Sequence, residues 1–257
     1  MKPTVVGLFS GIGGLERGFE QAGFNAIACA ETDAHCSEVL ERRMPDVPNL
    51  GNVAAIEGLP KSDVLVAGFP CQPYSQAGRR DGLRQGSGSM NELLRLIEAS
   101  QAPTIVLENV TFIVHLHGGS AVTRIVNRVT KLGYDWAYRI VDTRAFGLPQ
   151  RRHRWIFVAS REIDPKRVLF ADHSKPAART AAVAKGFYWT EGSSGIGWAD
   201  DAVPPLKGAG GFGIPSPPAI WSTADDVIIT PEIRDLERLQ GPSTETTTFA
   251  GGPFLRR

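Results

Sequence analysis

A chain of 257 residues suits one large domain, or one domain with a smaller appendage. Its composition, 42% hydrophobic and 21% charged, is typical of a globular protein and excludes wholesale disorder. No apolar run approaches the roughly 18 residues that a membrane-spanning helix needs. The N-terminal apolar stretch runs into Gly-rich sequence, which favours a buried strand over a signal peptide.

Charge and cysteine usage narrow the class of protein further. The formal net charge is +1, so nucleic acid would be bound through local basic patches rather than a global field. The three cysteines form no CxxC pair and are odd in number, which argues against a disulfide framework or a zinc site. We therefore expect a cytoplasmic protein without a metal and without a membrane partner.

Two periodicities alternate along the first 160 residues. Apolar runs predict strands at 4–9, 25–31, 63–68, 104–109, 134–142 and 154–160. Helical stripes lie between them, the clearest being Val122, Ile125, Val126, Val129 and Leu132. Strands that alternate with helices predict an α/β fold with a doubly wound, mainly parallel sheet.

The chain changes character after Ser160. Residues 161–230 lack a sustained period, and more than half of segment 203–218 is Gly or Pro. A short helix is predicted at 231–240, with a proline in its first turn. We expect a small irregular domain in this interval rather than a linker, because it is rich in aromatic residues, namely Trp189, Trp198, Phe212 and Trp221.

The first predicted strand runs into the Gly-rich turn 9–15. Glycines at a strand-to-helix turn let the backbone approach a nucleotide, and the helix N-terminus offers unpaired N–H groups. Glu31, twenty residues after Gly11, ends the second strand, where an acid reaches ribose hydroxyls in nucleotide-binding α/β folds, and Thr32 follows it. Asp63 opens the third strand, and we expect it at or near the same crevice. The turn does not fit GxGxxG, so a merely tight turn remains an alternative here.

A thiol and a carboxyl group follow the third and fourth strands. Cys71 lies between two prolines in GFPCQPYS, residues 68–75. Glu108 ends the fourth strand, where a buried carboxylate is costly unless it is paired or used. Arg152 and Arg154 enter the last strand on one face. The sequence thus predicts a nucleotide-type pocket, a thiol and a carboxyl group in one crevice.

Four segments in this order resemble the cytosine-C5 DNA methyltransferase family: GLFSGIGGLE, GFPCQPYS, LENV and QRRHRWIFVAS. The resemblance covers about 4–160 and again 229–242. It implies a Rossmann-like methyltransferase fold with a catalytic domain at 1–160, a small target-recognition region at 161–228 and a return segment at 229–257.

The resemblance implies sequence-specific transfer of methyl from S-adenosylmethionine to C5 of a cytosine in double-stranded DNA, of restriction-modification, phage or orphan type. Cys71 would add to C6, because C5 alone is too poor a nucleophile. Glu108 would donate a proton at N3 with a raised pKa, and Arg152 and Arg154 would contact the base and the backbone. The base must be flipped out, because C5 and C6 lie inside the duplex stack.

The resemblance also implies the remaining contacts. The cofactor would be held by Phe9, Ser10, Gly11, Ile12, Gly13, Gly14, Leu15, Glu31, Thr32, Asp63, Phe69 and Pro70. DNA would be contacted by Gln72, Ser75, Arg79, Arg80, Arg84 and Gln150, several of which lie on a basic loop expected to close over the phosphates. Cys29 and Cys36 are expected to be structural.

One departure from the family pattern leaves alternatives open. Nothing after Gln240 matches the Gly-Asn motif that ordinarily completes the cofactor pocket. Truncation, a frameshift, a second polypeptide that supplies the motif, or compensation elsewhere in the chain would each account for this. A cytosine-C5 tRNA methyltransferase of the same family, or a catalytically silent DNA-binding subunit, remains a rival. A nicotinamide dehydrogenase would need neither PCQ nor ENV.

Overall fold

The larger sheet has six strands in the order β2-β1-β3-β4-β6-β5. The strands are β1 (Thr4–Leu8), β2 (Asn25–Ala28), β3 (Val64–Ala67), β4 (Thr104–Val110), β5 (Asp135–Asp142) and β6 (His153–Ser160). The first four pair in parallel, and β6 runs antiparallel to β4. This confirms the predicted α/β fold with a mainly parallel sheet. The computed structural model describes residues 1–70, 83–171, 184–188, 197–206 and 217–241.

The helices that follow these strands bury apolar stripes against the sheet. They are α1 (Gly14–Gln21), α2 (Ala34–Arg43), α3 (Leu83–Ser100), α4 (Ser120–Lys131) and α5 (Pro165–Leu169). A sixth helix, α6 (Ile233–Gln240), belongs to the second unit described below. The stripe predicted on α4 packs as expected: Ile125 and Val129 are fully buried in the core. Burial of each such side chain contributes about 1.5–3 kcal/mol, and this fixes the helix on the sheet.

The chain divides into two compact units. The first comprises Met1–Ile140 and Arg154–His173, and the second comprises Val141–His153 and the described residues of Ser174–Arg257. The boundaries expected from the sequence, at 160 and 228, differ from this division. Residues 141–153 group with the second unit, as does α6.

The second unit contains a sheet for which the sequence gives no clear periodicity. Its strands, in the order β10-β9-β7-β8, are β7 (Ala184–Tyr188), β8 (Ala199–Asp200), β9 (Pro218–Ser222) and β10 (Val227–Ile229). All three pairs are antiparallel. The predicted place of Pro231 in the first turn of α6 is wrong, because Glu232 is the N-cap and forms a capping box with Asp235.

Candidate active site

The Gly-rich turn lies at the carboxyl edge of the parallel strands and is tied to the end of β2. Ser10 donates its backbone N–H to the carbonyl oxygen of Ala30 at 3.0 Å. Phe9 has a φ of 55°, a left-handed conformation that is strained for a residue with a side chain. Gly11 and Gly13 adopt positive φ without this cost. The turn thus leads β1 directly into the N-terminus of α1.

Glu31, three residues after β2, holds this turn through its carboxylate. Its Oε2 accepts a hydrogen bond from the N–H of Gly11 at 2.7 Å. Its Oε1 accepts from the N–H groups of Thr32 and Asp33, each at 2.7 Å. Because each carboxylate oxygen has two acceptor positions, Oε2 retains capacity for a ligand hydroxyl.

Asn49 is a residue that the sequence analysis missed. Its Oδ1 accepts from the backbone N–H of Glu31 at 2.9 Å, and its Nδ2 donates to the carbonyl of Glu31 at 3.2 Å and to Ser37 Oγ at 3.1 Å. These bonds fix the backbone of Glu31 from the neighbouring loop. No local motif marks an isolated asparagine for this role.

The ends of β1, β3 and β4 meet around Gly68. A Cβ atom placed on Gly68 would lie 3.6 Å from Glu108 Oε2, 3.8 Å from Leu15 Cδ1 and 3.8 Å from the carbonyl oxygen of Phe9. The other carboxylate oxygen of Glu108, Oε1, lies 2.7 Å from Arg154 Nε. Both side chains are mostly buried, at 27% and 18% exposed. The structure thus brings Glu108 and Arg154 together beside the segment that leads to Cys71.

Asn109 anchors that segment from β4. It is 3% exposed, and its Nδ2 donates to the carbonyl oxygen of Phe69 at 3.0 Å. Its Oδ1 accepts from the N–H of Val110 at 2.8 Å. The position of the chain just before Cys71 is therefore set by a buried side chain that the sequence analysis did not single out.

Several predicted residues lie outside the described part of the chain. The described stretch ends at Pro70, one residue before Cys71. Those outside are Cys71, Gln72, Ser75, Arg79 and Arg80, together with the side chain of Arg84 in α3.

The predicted position of Asp63 is wrong. It precedes β3, where its Oδ2 accepts from the N–H and the hydroxyl of Thr4 at 2.6 and 2.7 Å. These hydrogen bonds lower the pKa of Asp63. Because Thr4 begins β1, Asp63 lies at the amino edge of the sheet, opposite the Gly-rich turn, and leaves the candidate cofactor site.

The expectation that Gln150 contacts DNA is also contradicted. Gln150 is 1% exposed and forms a β-bridge with Val203. Its carbonyl oxygen accepts from Thr143 Oγ1 at 2.5 Å. Arg152 lies in the second unit, where its carbonyl oxygen accepts from the N–H of Thr143 at 3.0 Å. The Gln150 side chain is not exposed for contact with DNA, and its Nε2 has no hydrogen-bond partner among the described residues.

The two described cysteines are poor nucleophiles. Burial, with Glu16 and Glu31 nearby, raises the pKa of Cys29 to about 11. Burial, with Asp33 nearby, raises the pKa of Cys36 to about 12. Since the thiolate is the reactive form, both thiols are expected to be inert at neutral pH.

Neither a metal site nor a membrane span is found in the described ranges. No group of three or more His, Cys, Asp or Glu side chains there could hold a metal ion. No helix among those residues is long and apolar enough to cross a bilayer.

Curated relatives of this chain are bacterial methyltransferases. Type II methyltransferase M2.BsuMI of Bacillus subtilis (strain 168) is 46% identical over 249 residues, covering 92% of this chain and 64% of its own length. Type II methyltransferase M.MspI of Moraxella sp is 34% identical over 158 residues, covering 60% of this chain and 38% of its own. The chain thus spans less than two thirds of the length of these relatives.

Solved structures and a family model complete the comparison. The S. pombe Dnmt2 methyltransferase has a TM-score of 0.56 at 16% identity, covering 71% of this chain and 59% of its own. The Entamoeba histolytica methyltransferase EhMeth has a TM-score of 0.53 at 19% identity, covering 68% and 56%. These two show the fold. The family model for C-5 cytosine-specific DNA methylases matches residues 4–186. With a match over most of its length, the chain belongs to the C-5 cytosine-specific DNA methylase family.

Proposed function

We propose that this chain methylates C5 of cytosine in duplex DNA at a specific sequence, as the modification enzyme of a restriction-modification system. The observation that carries the proposal is the meeting of the Gly-rich turn, Gly68 and the Glu108–Arg154 pair at one edge of the sheet. Family membership and relatives named Type II methyltransferases support the same chemistry.

The residues at this edge fit S-adenosylmethionine. The amides of the turn and of the start of α1 suit a carboxylate, because a helix N-terminus carries unpaired N–H groups. The free acceptor position on Glu31 Oε2 suits a ribose hydroxyl. Phe69 and Pro70, directly after β3, complete the proposed set. When bound, the cofactor supplies an electrophilic methyl group on a sulfonium.

Cys71 is the proposed nucleophile. Its thiolate forms a bond to C6 of the flipped cytosine, and the electrons of the C5–C6 double bond become available at C5. With S-adenosylmethionine bound, C5 would take the methyl group, and the electrons of the broken sulfur–methyl bond would stay on sulfur as a neutral thioether. Loss of the C5 proton then expels the thiolate and restores the ring. The raised pKa values of Cys29 and Cys36 leave Cys71 as the thiol suited to this step.

Glu108 is the proposed partner of the base. Arg154 occupies Oε1, while Oε2 is the oxygen nearest Gly68. We therefore assign Oε2, carrying a proton, as the donor of a hydrogen bond to N3 of the cytosine, which stabilises the charge that moves onto the ring after thiolate addition. Arg154 holds the carboxyl group in orientation for this contact.

Trapping with duplex DNA that contains 5-fluorocytosine tests the proposal. Fluorine at C5 cannot leave as a cation, so the adduct between Cys71 and C6 should accumulate in the wild type and be absent in Cys71→Ala. Cys36→Ala is the matched control and should trap normally. An adduct that forms equally in Cys71→Ala would refute the assignment, and trapping only on a tRNA acceptor would move the substrate to RNA.

A second polypeptide that supplies the Gly-Asn motif is one of the alternatives that the sequence leaves open. The same trapping assay on the purified single chain tests it. An adduct formed by this chain alone would show that no partner is required for the covalent step.

A further inference from the structure

A carboxyl group with no assigned role is enclosed behind the Gly-rich turn. Glu16, on the first turn of α1, is 1% exposed. Neither of its carboxyl oxygens has a hydrogen-bond partner among the described residues. Burial of an ionised carboxylate without a partner is costly, so such a group needs a reason to be there.

The space for this carboxyl group is provided by a glycine in β1. A Cβ atom on Gly7 would overlap with Glu16 Oε1 and would lie only 2.5 Å from Cδ. Gly7 stands two residues before Phe9, where the turn begins. The carboxyl group therefore fills the gap between β1 and α1, directly behind the turn that joins them.

The surroundings of Glu16 favour its neutral form. Burial is the largest cause of its raised pKa, and the negative charges of Glu20 and Glu31 raise the pKa further. The nearby Ser10 hydroxyl and the backbone of Glu16 itself lower the pKa, and together they offset the effect of burial only in part. The neighbouring thiol of Cys29 has a pKa raised to about 11 and stays neutral.

We propose that Glu16 is a positioning residue for the cofactor, whose neutral carboxyl group supports the Ser10–Gly13 turn from behind and whose ionisation weakens S-adenosylmethionine binding. The inference rests on the proposed function, because the turn is taken as the cofactor site. An ionised carboxylate at this buried position must become hydrated. The polar group next to the Glu16 carboxyl is the Ser10 hydroxyl, which is part of the turn. Hydration of Glu16 therefore displaces the backbone that binds the cofactor.

Direct binding of S-adenosylmethionine to the full chain, measured from the ordinary carboxyl pKa of 4.5 up to pH 9, tests the coupling. The wild-type affinity should fall relative to that of Glu16→Gln as pH rises, approaching about tenfold per pH unit, the limit for one linked proton. At the low end of the range the two affinities should be equal, because glutamine mimics the neutral carboxyl group. Titration of the cofactor's own amino group acts on both proteins and cancels in the ratio.

Two further variants sharpen the binding experiment. Glu20→Gln removes an exposed carboxylate one helical turn away. It should keep the wild-type pH slope, displaced to lower pH because the charge of Glu20 no longer raises the pKa of Glu16. Gly7→Ala should weaken binding at every pH, because the added methyl group takes the space of the Glu16 carboxyl. The proposal would be overturned if the S-adenosylmethionine affinity of Glu16→Gln depended on pH as steeply as that of the wild type. An affinity that rises with pH in the wild type alone would also overturn it.

Stability of the cofactor-free protein gives an independent readout. For a folded pKa raised above the ordinary 4.5, the stabilising contribution is complete below that value and is lost as pH rises through the folded pKa. The unfolding free energy of the wild type should therefore fall relative to that of Glu16→Gln with increasing pH. A constant difference would overturn the inference.

The two proposals fail in different ways. If S-adenosylmethionine binds with the same pH dependence to the wild type and to Glu16→Gln, the role of Glu16 is overturned and the proposed function is left intact. Absence of S-adenosylmethionine binding in every variant at every pH would overturn the proposed function, and the inference with it.

Discussion

The buried amide of Asn109 should be essential for the segment that precedes Cys71. Asn109→Asp keeps the oxygen that accepts from the N–H of Val110 but replaces the Nδ2 donor with an oxygen facing the carbonyl oxygen of Phe69. A buried carbonyl that loses its donor costs about 1–3 kcal/mol, which is about a 5- to 150-fold change in the ratio of folded to unfolded protein. Repulsion between the two oxygens adds to this cost.

Urea denaturation at pH 7 measures this loss. Asn52→Asp is the matched control, because the exposed Asn52 uses its Oδ1 to accept from the N–H of Ala54 and aspartate keeps that acceptor. The control should change the unfolding free energy by less than about 0.5 kcal/mol. Asn109→Asp should also slow single-turnover methyl transfer and weaken S-adenosylmethionine binding, because it releases the carbonyl of Phe69, which belongs to the proposed cofactor set. Equal stability of the two variants would refute the reasoning.

Three further predictions concern individual side chains of the first unit. Glu31→Gln should weaken S-adenosylmethionine binding about ten- to hundredfold in equilibrium dialysis, because a charged acceptor is lost; an unchanged dissociation constant would remove Glu31 from the site. Asp63→Asn should leave that constant unchanged. Because the folded pKa of Asp63 is lowered, its stabilising contribution is present above the ordinary value of 3.8 and is lost as pH falls through the folded value. The stability difference between wild type and Asp63→Asn should therefore vanish in acid, and its persistence there would contradict the assignment. Arg154→Lys keeps the charge but loses the Nε–H that holds Glu108, so single-turnover methyl transfer should slow about ten- to hundredfold; a wild-type rate would argue against the pair.

The buried strands were predictable because their local pattern matches their environment. β1 and β3 are near-continuous apolar runs, as expected for strands covered on both faces, and every residue of β3 is buried. The turn after β1 was predictable from the glycines that follow that strand, and the place of Glu31 from its position at the end of the second apolar run. The error at Asp63 was avoidable, because a residue that opens a parallel strand lies at the amino edge of the sheet.

The supporting contacts could not be predicted from the sequence. Asn49 and Asn109 act on backbone groups 18 and 40 residues away, and these contacts depend on how the loops fold back. The enclosure of Glu16 depends on the packing of α1 against β1, and an acidic residue in a first helical turn is ordinarily read as an exposed partner of the helix dipole. The strands β7 to β10 are only two to five residues long, which is too short for a period to stand out in the sequence.

Bisulfite sequencing tests the central claim most directly. DNA would be taken from a methylation-free host that expresses this 257-residue chain alone, beside a host that expresses Cys71→Ala. We expect protected cytosines within one short sequence for the wild type and none for the variant. Soluble wild-type protein without a protected cytosine, or the same protected sites with Cys71→Ala, would contradict cytosine-C5 methyl transfer by Cys71.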